Sequence, residues 1–522
     1  MSHQELPPGW AVATLSELVG AGGAFTDGDW VESKDQDPNG DVRLIQLADV
    51  GDDVFLDRSS RFLTRAKAAE LRCTFLSQGD VLVARMPDPL GRACIFPGDT
   101  KACVTVVDVC IVRSGSAELD QRWLVCTINA PQFRRSVAAL QSGSTRKRIS
   151  RGNLATLRLP IPPVTEQARI ALALQQQISR LDDGLRSLRR AKARLPRYRT
   201  SVLKAACEGR LVPTEAALAR AEGRDYESGS ELLDRNAREW SPIPATARKV
   251  PKTRGWHGLP GGISRGVELP DLPNGWIWVC LDQLIQSLRN GISTVPRAVS
   301  GTKVLRISAV RPLKVDLDDV RYLEQPLGAF AKYRLTEGDL LFTRYNGTID
   351  LVGVAGVAGP GCEDTVYPDK LIRVRIIKGL CIPQFVALAA NTGASRRFIA
   401  SRIRTTAGQA GVSGADLRGV PIPLPPIAEQ ERIVQDVERR LSITDQISAI
   451  INAGVARSAR LRQAILKRAF EGKLVPQDPT DEPASLLLER IRKEREAAAQ
   501  AAPRKPRRRS VRGPRPPRAG GV

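Results

Sequence analysis

The amino-acid sequence predicts an α+β protein with two similar mixed α/β domains, separated by an antiparallel pair of long helices and related by an approximate two-fold axis. Two duplications predict this architecture. The motif Pro-Pro-x-x-Glu-Gln occurs at 162–167 and 425–430, and Glu-Gly-[Arg/Lys]-Leu-Val-Pro occurs at 208–213 and 471–476. The members of both pairs are 263 residues apart. This repeat is too long for a solenoid unit, so it indicates two copies of a whole domain together with its helix.

The predicted domain boundaries follow from these landmarks. Both globular domains begin with Leu-Pro-x-Gly-Trp, at 6–10 and 272–276 respectively, where x is Pro8 in the first copy and Asn274 in the second. Each continues with short apolar runs between glycine and proline residues, a pattern typical of strands and loops. The predicted segments are a first globular domain at 1–159, a first spacer helix at 160–213, a linker with a short helix at 214–267, a second globular domain at 268–420, a second spacer helix with an extension at 421–500, and a basic disordered tail at 501–522.

Each globular domain is followed by a predicted helix of about 40 residues, which is roughly 60 Å at 1.5 Å per residue. In the first helix, apolar residues recur at alternating spacings of four and three, the pattern of a helix–helix seam, and the second helix has Val437, Leu441, Thr444, Ser448 and Ile451 at the equivalent positions. Equal lengths and matching seams favour an antiparallel pair over two unrelated core helices. Pro196 is expected to kink or split the first helix. The predicted seam residues are Leu174, Ile178, Leu181, Leu185, Leu188, Val437, Leu441 and Ile451.

The charge balance indicates a polyanionic partner. A formal net charge of +23 and a pI near 10.1 suit nucleic acid or an anionic membrane surface. No run of 18 apolar residues and no apolar signal core occurs, so we expect a cytoplasmic protein without membrane insertion. The tail contributes eight of the cations, which means that the rest of the chain is basic as well.

Residues of the kind that carry out catalysis or bind metals are scarce. The nine cysteines contain no CxxC pair and the chain has two histidines, so we expect reduced, buried thiols rather than a zinc cluster. There is no GxxxxGK[ST] phosphate loop and no [Asn/Asp]-Pro-Pro-aromatic tetrapeptide of an amino-methyltransferase. We therefore expect a non-catalytic chain that binds no cofactor or metal of its own.

Basic and hydroxyl side chains cluster near the end of each globular domain. Such side chains can hold phosphate oxygens and fix the register of a duplex without reading bases, although a solvated basic loop is the alternative. Arg85 and Arg344 follow matching Gly-Asp turns, and each either reaches a groove, where arginine suits guanine, or pairs with a core carboxylate. The candidate DNA-binding residues are Arg85, Thr145, Arg146, Lys147, Arg148, Arg151, Arg344, Arg402, Arg404 and Gln409.

Taken together, these motifs resemble the specificity subunits of type I restriction-modification systems. The three duplicated motifs support the resemblance, as does the segment 149–154 with its partner 412–417, and the match spans the chain up to the tail after Ala501. The resemblance implies that the globular domains are target recognition domains. It also implies assembly with two methyltransferase subunits, which use S-adenosylmethionine to methylate adenine N6, and with restriction (translocase) subunits that use ATP and magnesium.

Physical reasoning from the residues leads to a compatible geometry. An antiparallel helix pair relates two domains by the same symmetry that relates the strands of double-stranded DNA, so each domain can read one half-site. The domains differ in sequence between their shared landmarks, so the expected target is bipartite and asymmetric. Two alternatives are a self-contained DNA methyltransferase or nuclease, whose motifs are missing, and a coiled-coil scaffold that binds nucleic acid without sequence specificity.

Overall fold

The computed structural model describes residues 6–87, 89–144, 146–239, 268–406 and 409–501. The chain divides into two compact units, the first formed by 1–188 with 452–522 and the second by 189–451. The sequence order predicted consecutive domains and helices, whereas each unit combines a globular domain with half of each long helix. The tail from residue 502 onward and the linker residues 240–267 lie outside the described residues.

The globular domain of the first unit is built from short strands and four short helices. Its strands are β1 Ala11–Thr14, β2 Ala24–Asp27, β3 Val42–Ile45, β4 Phe62–Leu63, β5 Val81–Ala84, β6 Ala93–Ile95, β7 Ala102–Thr105, β8 Val109–Arg113 and β9 Arg158–Ile161, and its helices are α1 Arg65–Glu70, α2 Gln121–Asn129, α3 Pro131–Ala139 and α4 Arg151–Ala155. The strands form a sheet of order β2-β8-β5-β6, a sheet of order β4-β3-β7 and the antiparallel pair β1-β9. All four residues of β5 are buried, as expected for a strand covered on both faces.

The first long helix, α5, spans Val164–Cys207 and is followed by α6 Glu215–Glu222 and α7 Gly229–Glu239. Of the two effects expected of Pro196, a kink or a split, the split does not occur, because the helix continues through the proline. Proline removes one hydrogen bond of the helix. Apolar side chains before and after it, Ile178 and Val202 among them, are buried in the cores of the two units, and this burial stabilises the helix by more than the lost hydrogen bond costs. The described part of the linker, 214–239, has two helices where one was expected. The Thr214 side chain caps the additional helix, α6, by accepting from the Ala217 N–H at 3.2 Å.

The globular domain of the second unit repeats the strand order of the first. Its strands are β10 Ile277–Cys280, β11 Ile285–Asn290, β12 Thr302–Leu305, β13 Val310–Arg311, β14 Leu313–Val315, β15 Val320–Leu323, β16 Leu340–Thr343, β17 Tyr345–Asn346, β18 Ala355–Val357, β19 Thr365–Val366, β20 Leu371–Ile376, β21 Arg404–Thr406, β22 Gln409–Gly411 and β23 Pro421–Leu424, and its helices are α8 Leu281–Leu284, α9 Pro383–Ala390, α10 Gly393–Ser401 and α11 Gly414–Arg418.

The shared strand order confirms the predicted α+β class with two similar mixed domains. The sheet β11-β20-β16-β18-β14-β13 begins with the counterparts of β2-β8-β5-β6, and β15-β12-β19 matches β4-β3-β7. In both three-stranded sheets the middle strand is parallel to one neighbour and antiparallel to the other. The second domain adds β13 and β14 at a sheet edge and a separate sheet of order β17-β22-β21.

The second long helix, α12, spans Ile427–Phe470 and has 44 residues, the same number as α5; α13 Ala484–Ala501 follows it. Within the first unit the halves of α5 and α12 run antiparallel, since Leu188 lies against Gly454 and Arg462 donates to Asp182 at 3.1 Å. Within the second unit Arg199 pairs with Asp445. Of the predicted seam residues, the structure buries Leu174, Ile178, Val437 and Ile451 and half-buries Leu181, Leu185, Leu188 and Leu441.

The glutamate of the Pro-Pro-x-x-Glu-Gln motif joins α5 to the globular domain. Glu166 is 1% exposed and accepts hydrogen bonds from Trp10 Nε1 at 2.9 Å and from Gln477 Nε2 at 2.7 Å. Burial raises the pKa of Glu166, and the Trp10 and Gln477 hydrogen bonds oppose that rise. In the second unit Glu429 is likewise buried and accepts from the Glu215 N–H at 2.8 Å. The duplicated motif is therefore structural.

The glycine of Glu-Gly-[Arg/Lys]-Leu-Val-Pro lies against the Leu-Pro-x-Gly-Trp start in each unit. Gly209 has φ +64, and a Cβ on it would overlap Pro273 Cγ and lie 3.2 Å from the Trp276 ring. Gly472 has φ +65, and a Cβ there would lie 2.9 Å from the Trp10 ring. Each long helix thus ends against the opening of a globular domain, where a glycine allows close approach and left-handed backbone.

Substituting Gly209→Ala should destabilise the second unit more than Gly223→Ala, which serves as its matched control. Both glycines have nearly equal φ, +64 and +66, but a Cβ at Gly223 would meet no atom within 4 Å. The backbone cost of about 1 kcal/mol is therefore common to both variants, and overlap with Pro273 adds about 1–3 kcal/mol to the first. Thermal unfolding of the three proteins measures this difference. Equal melting temperatures for the two variants would show that the contact is unimportant.

Candidate nucleic-acid interface

The basic segment of the first unit forms a tight hairpin between α3 and α4. Ser142 and Arg148 exchange two backbone hydrogen bonds of 2.8 Å. Gly143 has φ +96, and a Cβ on it would overlap the Arg146 carbonyl oxygen, so only glycine fits this turn. The Arg146, Lys147 and Arg148 side chains are all exposed. The candidate residue Thr145 lies outside the described residues.

The second unit has two antiparallel strands, β21 and β22, at the equivalent position between α10 and α11, and this pair is called the hairpin of the second unit. Residues 407 and 408 lie outside the described residues. Arg404 pairs with Gly411 across the hairpin, and β17 adds a third strand. The Arg404 and Gln409 side chains are exposed. Arg402 is half-buried, with its guanidinium 5.0 Å from the centre of the Phe398 ring, which makes it a cation–π partner of the helix before the hairpin.

The same backbone contact attaches both hairpins to their domains. The Ile149 N–H donates to the Arg85 carbonyl oxygen at 3.1 Å, and the Val412 N–H donates to the Arg344 carbonyl oxygen at 2.9 Å. Directly afterwards a serine, at 150 and at 413, caps the next short helix. The two basic segments therefore occupy equivalent places in their domains, although their residues differ.

Arg85 and Arg344 differ in the partners of their side chains. Arg85 is 14% exposed, pairs with Asp27 at 3.0 Å and donates to the Val107 carbonyl oxygen at 2.9 Å. Of the two alternatives for Arg85, a DNA groove or a carboxylate partner, the structure shows a carboxylate partner. The Arg151 guanidinium lies 4.0 Å from the other carboxylate oxygen of Asp27. These contacts place Arg85 and Arg151 around one carboxylate at the base of the hairpin.

Arg344 has no such carboxylate among its contacts in the described part of the chain. It is half-buried, its guanidinium lies 4.8 Å from the centre of the Tyr345 ring, and it donates to the Asp369 carbonyl oxygen at 3.4 Å. The Tyr345 ring itself lies against Gly411 of the hairpin. Arg344 therefore supports the hairpin through an aromatic neighbour.

The aspartate of each Gly-Asp turn forms a buried ion pair that the sequence analysis did not predict. Asp80 is 1% exposed and accepts two hydrogen bonds from Arg113, at 2.7 and 2.6 Å. Asp339 is 2% exposed and accepts two from Arg375, at 2.8 and 3.2 Å. The repetition of Gly-Asp in both domains was the available signal. Bidentate arginine–aspartate pairs fix the strands that precede Arg85 and Arg344.

We searched the described residues for metal sites, reactive thiols and membrane-spanning helices. Within them no group of histidine, cysteine, aspartate and glutamate side chains has the arrangement of a metal site. Burial raises the pKa of the Cys94 thiol to about 12, so this thiol stays protonated at neutral pH. As far as the structure describes the chain, no helix combines the length and hydrophobicity needed to cross a membrane.

Comparison with known proteins gives several similar chains. The chain is 30% identical over 376 residues to the type I restriction enzyme EcoKI specificity subunit of Escherichia coli K12, an alignment that covers 70% of each protein. It is 24% identical over 518 residues to the EcoEI specificity subunit of Escherichia coli, covering 89% of this chain and 83% of the relative. No family model matches the chain.

Solved structures show a similar fold. The HsdS subunit from Thermoanaerobacter tengcongensis aligns with a TM-score of 0.54 and 18% identity over 90% of this chain and 99% of its own. A chain from a solved type I R-M system aligns with a TM-score of 0.56 and 19% identity over 90% of this chain and its full length. At these identities the structural likeness concerns the fold alone.

Proposed function

Because this chain belongs to the specificity subunits of type I restriction enzymes, which recognise the DNA target of a restriction-modification system, we propose that its two globular domains read the two halves of a bipartite, asymmetric target. One observation supports this most directly. The domains share strand order and hairpin position, yet the exposed residues of the hairpins differ, with Arg146, Lys147 and Arg148 in one and Arg404 and Gln409 in the other. A common frame with different contact residues suits two different half-sites.

The hairpin cations act on phosphates in this proposal. Exposed arginine and lysine on a tight turn can neutralise phosphates and set the register of the duplex, which leaves base edges to neighbouring side chains. Arg85 and Arg151 hold the base of the first hairpin through Asp27 and are positioning residues. Arg344 and Arg402 act in the same way on the second hairpin through Tyr345 and Phe398.

The chain assembles with enzymes in this proposal and is itself non-catalytic. Two methyltransferase subunits with S-adenosylmethionine methylate adenine N6, and restriction subunits with ATP and magnesium translocate and cut DNA in the cytoplasm. The repeated segments that contain the long helices, 160–213 and 423–476, supply one interface twice, which suits two copies of one partner. Methylation of adenine requires a flipped base, and the methyltransferase subunit provides the pocket.

Substituting Arg146→Gln, Lys147→Gln and Arg148→Gln together should weaken DNA binding by the chain in complex with its methyltransferase subunit. Loss of three phosphate contacts makes the negative slope of log affinity against log salt shallower by about 2.7, since each contact contributes about −0.9 to it. The measurement is a salt titration on a cognate duplex and on one with both half-sites scrambled. We expect a similar loss on both duplexes.

The charge-preserving variant Arg146→Lys with Arg148→Lys is the matched control. Lysine contacts phosphate as a point charge, so this variant should keep the affinity and the salt slope, whereas an arginine that reads guanine bidentately would not tolerate the change. Unchanged binding by the glutamine variant would show that the hairpin does not contact DNA. Loss of the target motif by the lysine variant would show that the hairpin reads bases.

A further inference from the structure

The outward face of α5 in the second unit has a row of arginines that the proposed function does not use. Arg190, Arg194 and Arg197 are spaced by four and three residues, so their side chains project from the same face of the helix. All three are exposed. The row extends about 10 Å along the axis at 1.5 Å per residue.

This row lies opposite the side of α5 that packs within its unit. Arg199 lies nine residues, or about two and a half turns, after Arg190, so its side chain projects from the opposite face of the helix. There it pairs with Asp445 of α12. Val202 and Ala206, 4% and 0% exposed, are part of the core of the second unit. The arginine row is therefore not needed to hold the helix in place.

Among the described residues, no aspartate or glutamate pairs with the row. The sequence has no aspartate or glutamate between Gly184 and Cys207. Arg199 and Lys204 pair with Asp445 and Glu208 respectively, whereas no carboxylate of the described residues pairs with Arg190, Arg194 or Arg197. Like charges three or four residues apart repel one another and destabilise a helix, and an anionic ligand would remove this repulsion.

Part of the row is repeated in the other long helix. Arg457 and Arg460 of α12 lie 263 residues after Arg194 and Arg197, and both are exposed in the first unit. Lys467 repeats Lys204 on the same face. Repetition of exposed cations at equal spacing in both copies suits a ligand that meets both helices in the same way. Duplex DNA, with its two-fold related strands, is one such ligand, and a pair of identical partner subunits is another.

The composition of this face favours DNA over a protein partner. Between the arginines it presents Ala193 and, one turn further, Ser201, both exposed and small. Protein interfaces usually have apolar or aromatic residues at their centre, whereas DNA interfaces are polar and strongly positive. The exposed Ile443, Ile447 and Ile450 of α12 are an example of residues suited to the first kind of interface. The arginine face has the second character.

We propose that Arg190, Arg194 and Arg197, with Arg457 and Arg460 on the other helix, bind the phosphate backbone of the target at base pairs that neither globular domain reads. This inference rests on the proposed function. It makes the long helices a DNA-binding element rather than only a spacer. Since phosphates are the same at every base pair, the contact adds affinity without changing the recognised sequence.

The test uses the full chain in complex with its methyltransferase subunit, with Arg190→Gln, Arg194→Gln and Arg197→Gln combined. The negative slope of log affinity against log salt should become shallower by about 2.7, equally on cognate and scrambled duplexes. The methylated motif and the co-purification of the partner should stay unchanged. Glutamine has nearly the helix propensity of arginine, so α5 remains folded. The triple lysine variant should bind with the wild-type slope.

Two results would overturn the inference. An unchanged slope with an intact complex would show that the row does not contact DNA. Loss of the methyltransferase subunit from the glutamine variant, with restoration by lysine, would assign the row to an acidic surface of that partner instead. The wild-type protein tested in parallel separates these outcomes from failure of the proposed function, which would appear as equal binding of wild type to cognate and scrambled duplexes.

Discussion

Replacing Leu174, Ile178 and Leu181 together by aspartate is expected to abolish DNA methylation in cells that express this chain with its methyltransferase subunit. Leu174 and Ile178 are 1% and 7% exposed in the core of the first unit, and Leu181 is half-buried on the same side of α5. An unpaired carboxylate in such a place costs several kcal/mol, and the sum approaches the roughly 5–15 kcal/mol that stabilises a whole domain. The first unit should therefore unfold.

The matched control places the same charges on the exposed side of the same helix. Gln175, Gln176 and Ser179 are all exposed, so their triple aspartate variant should keep wild-type methylation and solubility. Methylation is measured in cells, and the folded state is measured by circular dichroism and by co-purification of the methyltransferase subunit. Wild-type methylation by the seam variant would contradict the role assigned to this face of α5.

Exchange of the first globular domain is expected to change one half of the DNA target completely and to leave the other half unaltered. The structure defines where to join the chains. Trp10 donates to Glu166, and β1 pairs with β9, so residues 6–14 and 158–161 should stay native while 15–157 are replaced by the matching segment of the EcoKI specificity subunit. The hairpin at 142–148 is exchanged with the rest, and the hairpin of the second unit is untouched.

Sequencing of the methylated motif measures the outcome of the exchange. A motif changed in one half only is the expected result, because each domain has its own core and its own hairpin. Changes in both halves would mean that the domains read the target jointly. The reverse graft, of residues 281–420 of the second domain, should change the other half and so serves as the internal control.

The frame of the fold could be predicted because it is duplicated. Gly472 lies against Trp10 as Gly209 lies against Trp276, and Glu166 and Glu429 are both buried; the duplication that underlies these similarities is visible in the sequence. The partners of these residues could not be predicted, because Glu166 is 156 residues from Trp10 and no periodic pattern connects them. For the same reason the sequence did not show that α5 and α12 are each shared between two compact units.

The candidate site was only partly accessible to sequence analysis. Clustered charge indicated the exposed cations of the first hairpin, since an uncompensated basic run is usually solvated. It could not indicate that Arg85 is largely buried against Asp27, because that pair joins the ends of two strands distant in sequence. Charge alone also could not show that Arg190, Arg194 and Arg197 are exposed whereas Arg199 pairs with Asp445. That difference depends on which face of α5 packs within its unit.

The most direct test of the proposed function is single-molecule methylation sequencing of DNA from cells that express this chain with its methyltransferase subunit, beside cells that lack this chain. The predicted result is N6-methyladenine in one gapped, asymmetric motif that disappears in the deletion. Methylation without a motif, or with a palindromic one, while the two proteins still co-purify, would contradict the assignment of one half-site to each globular domain.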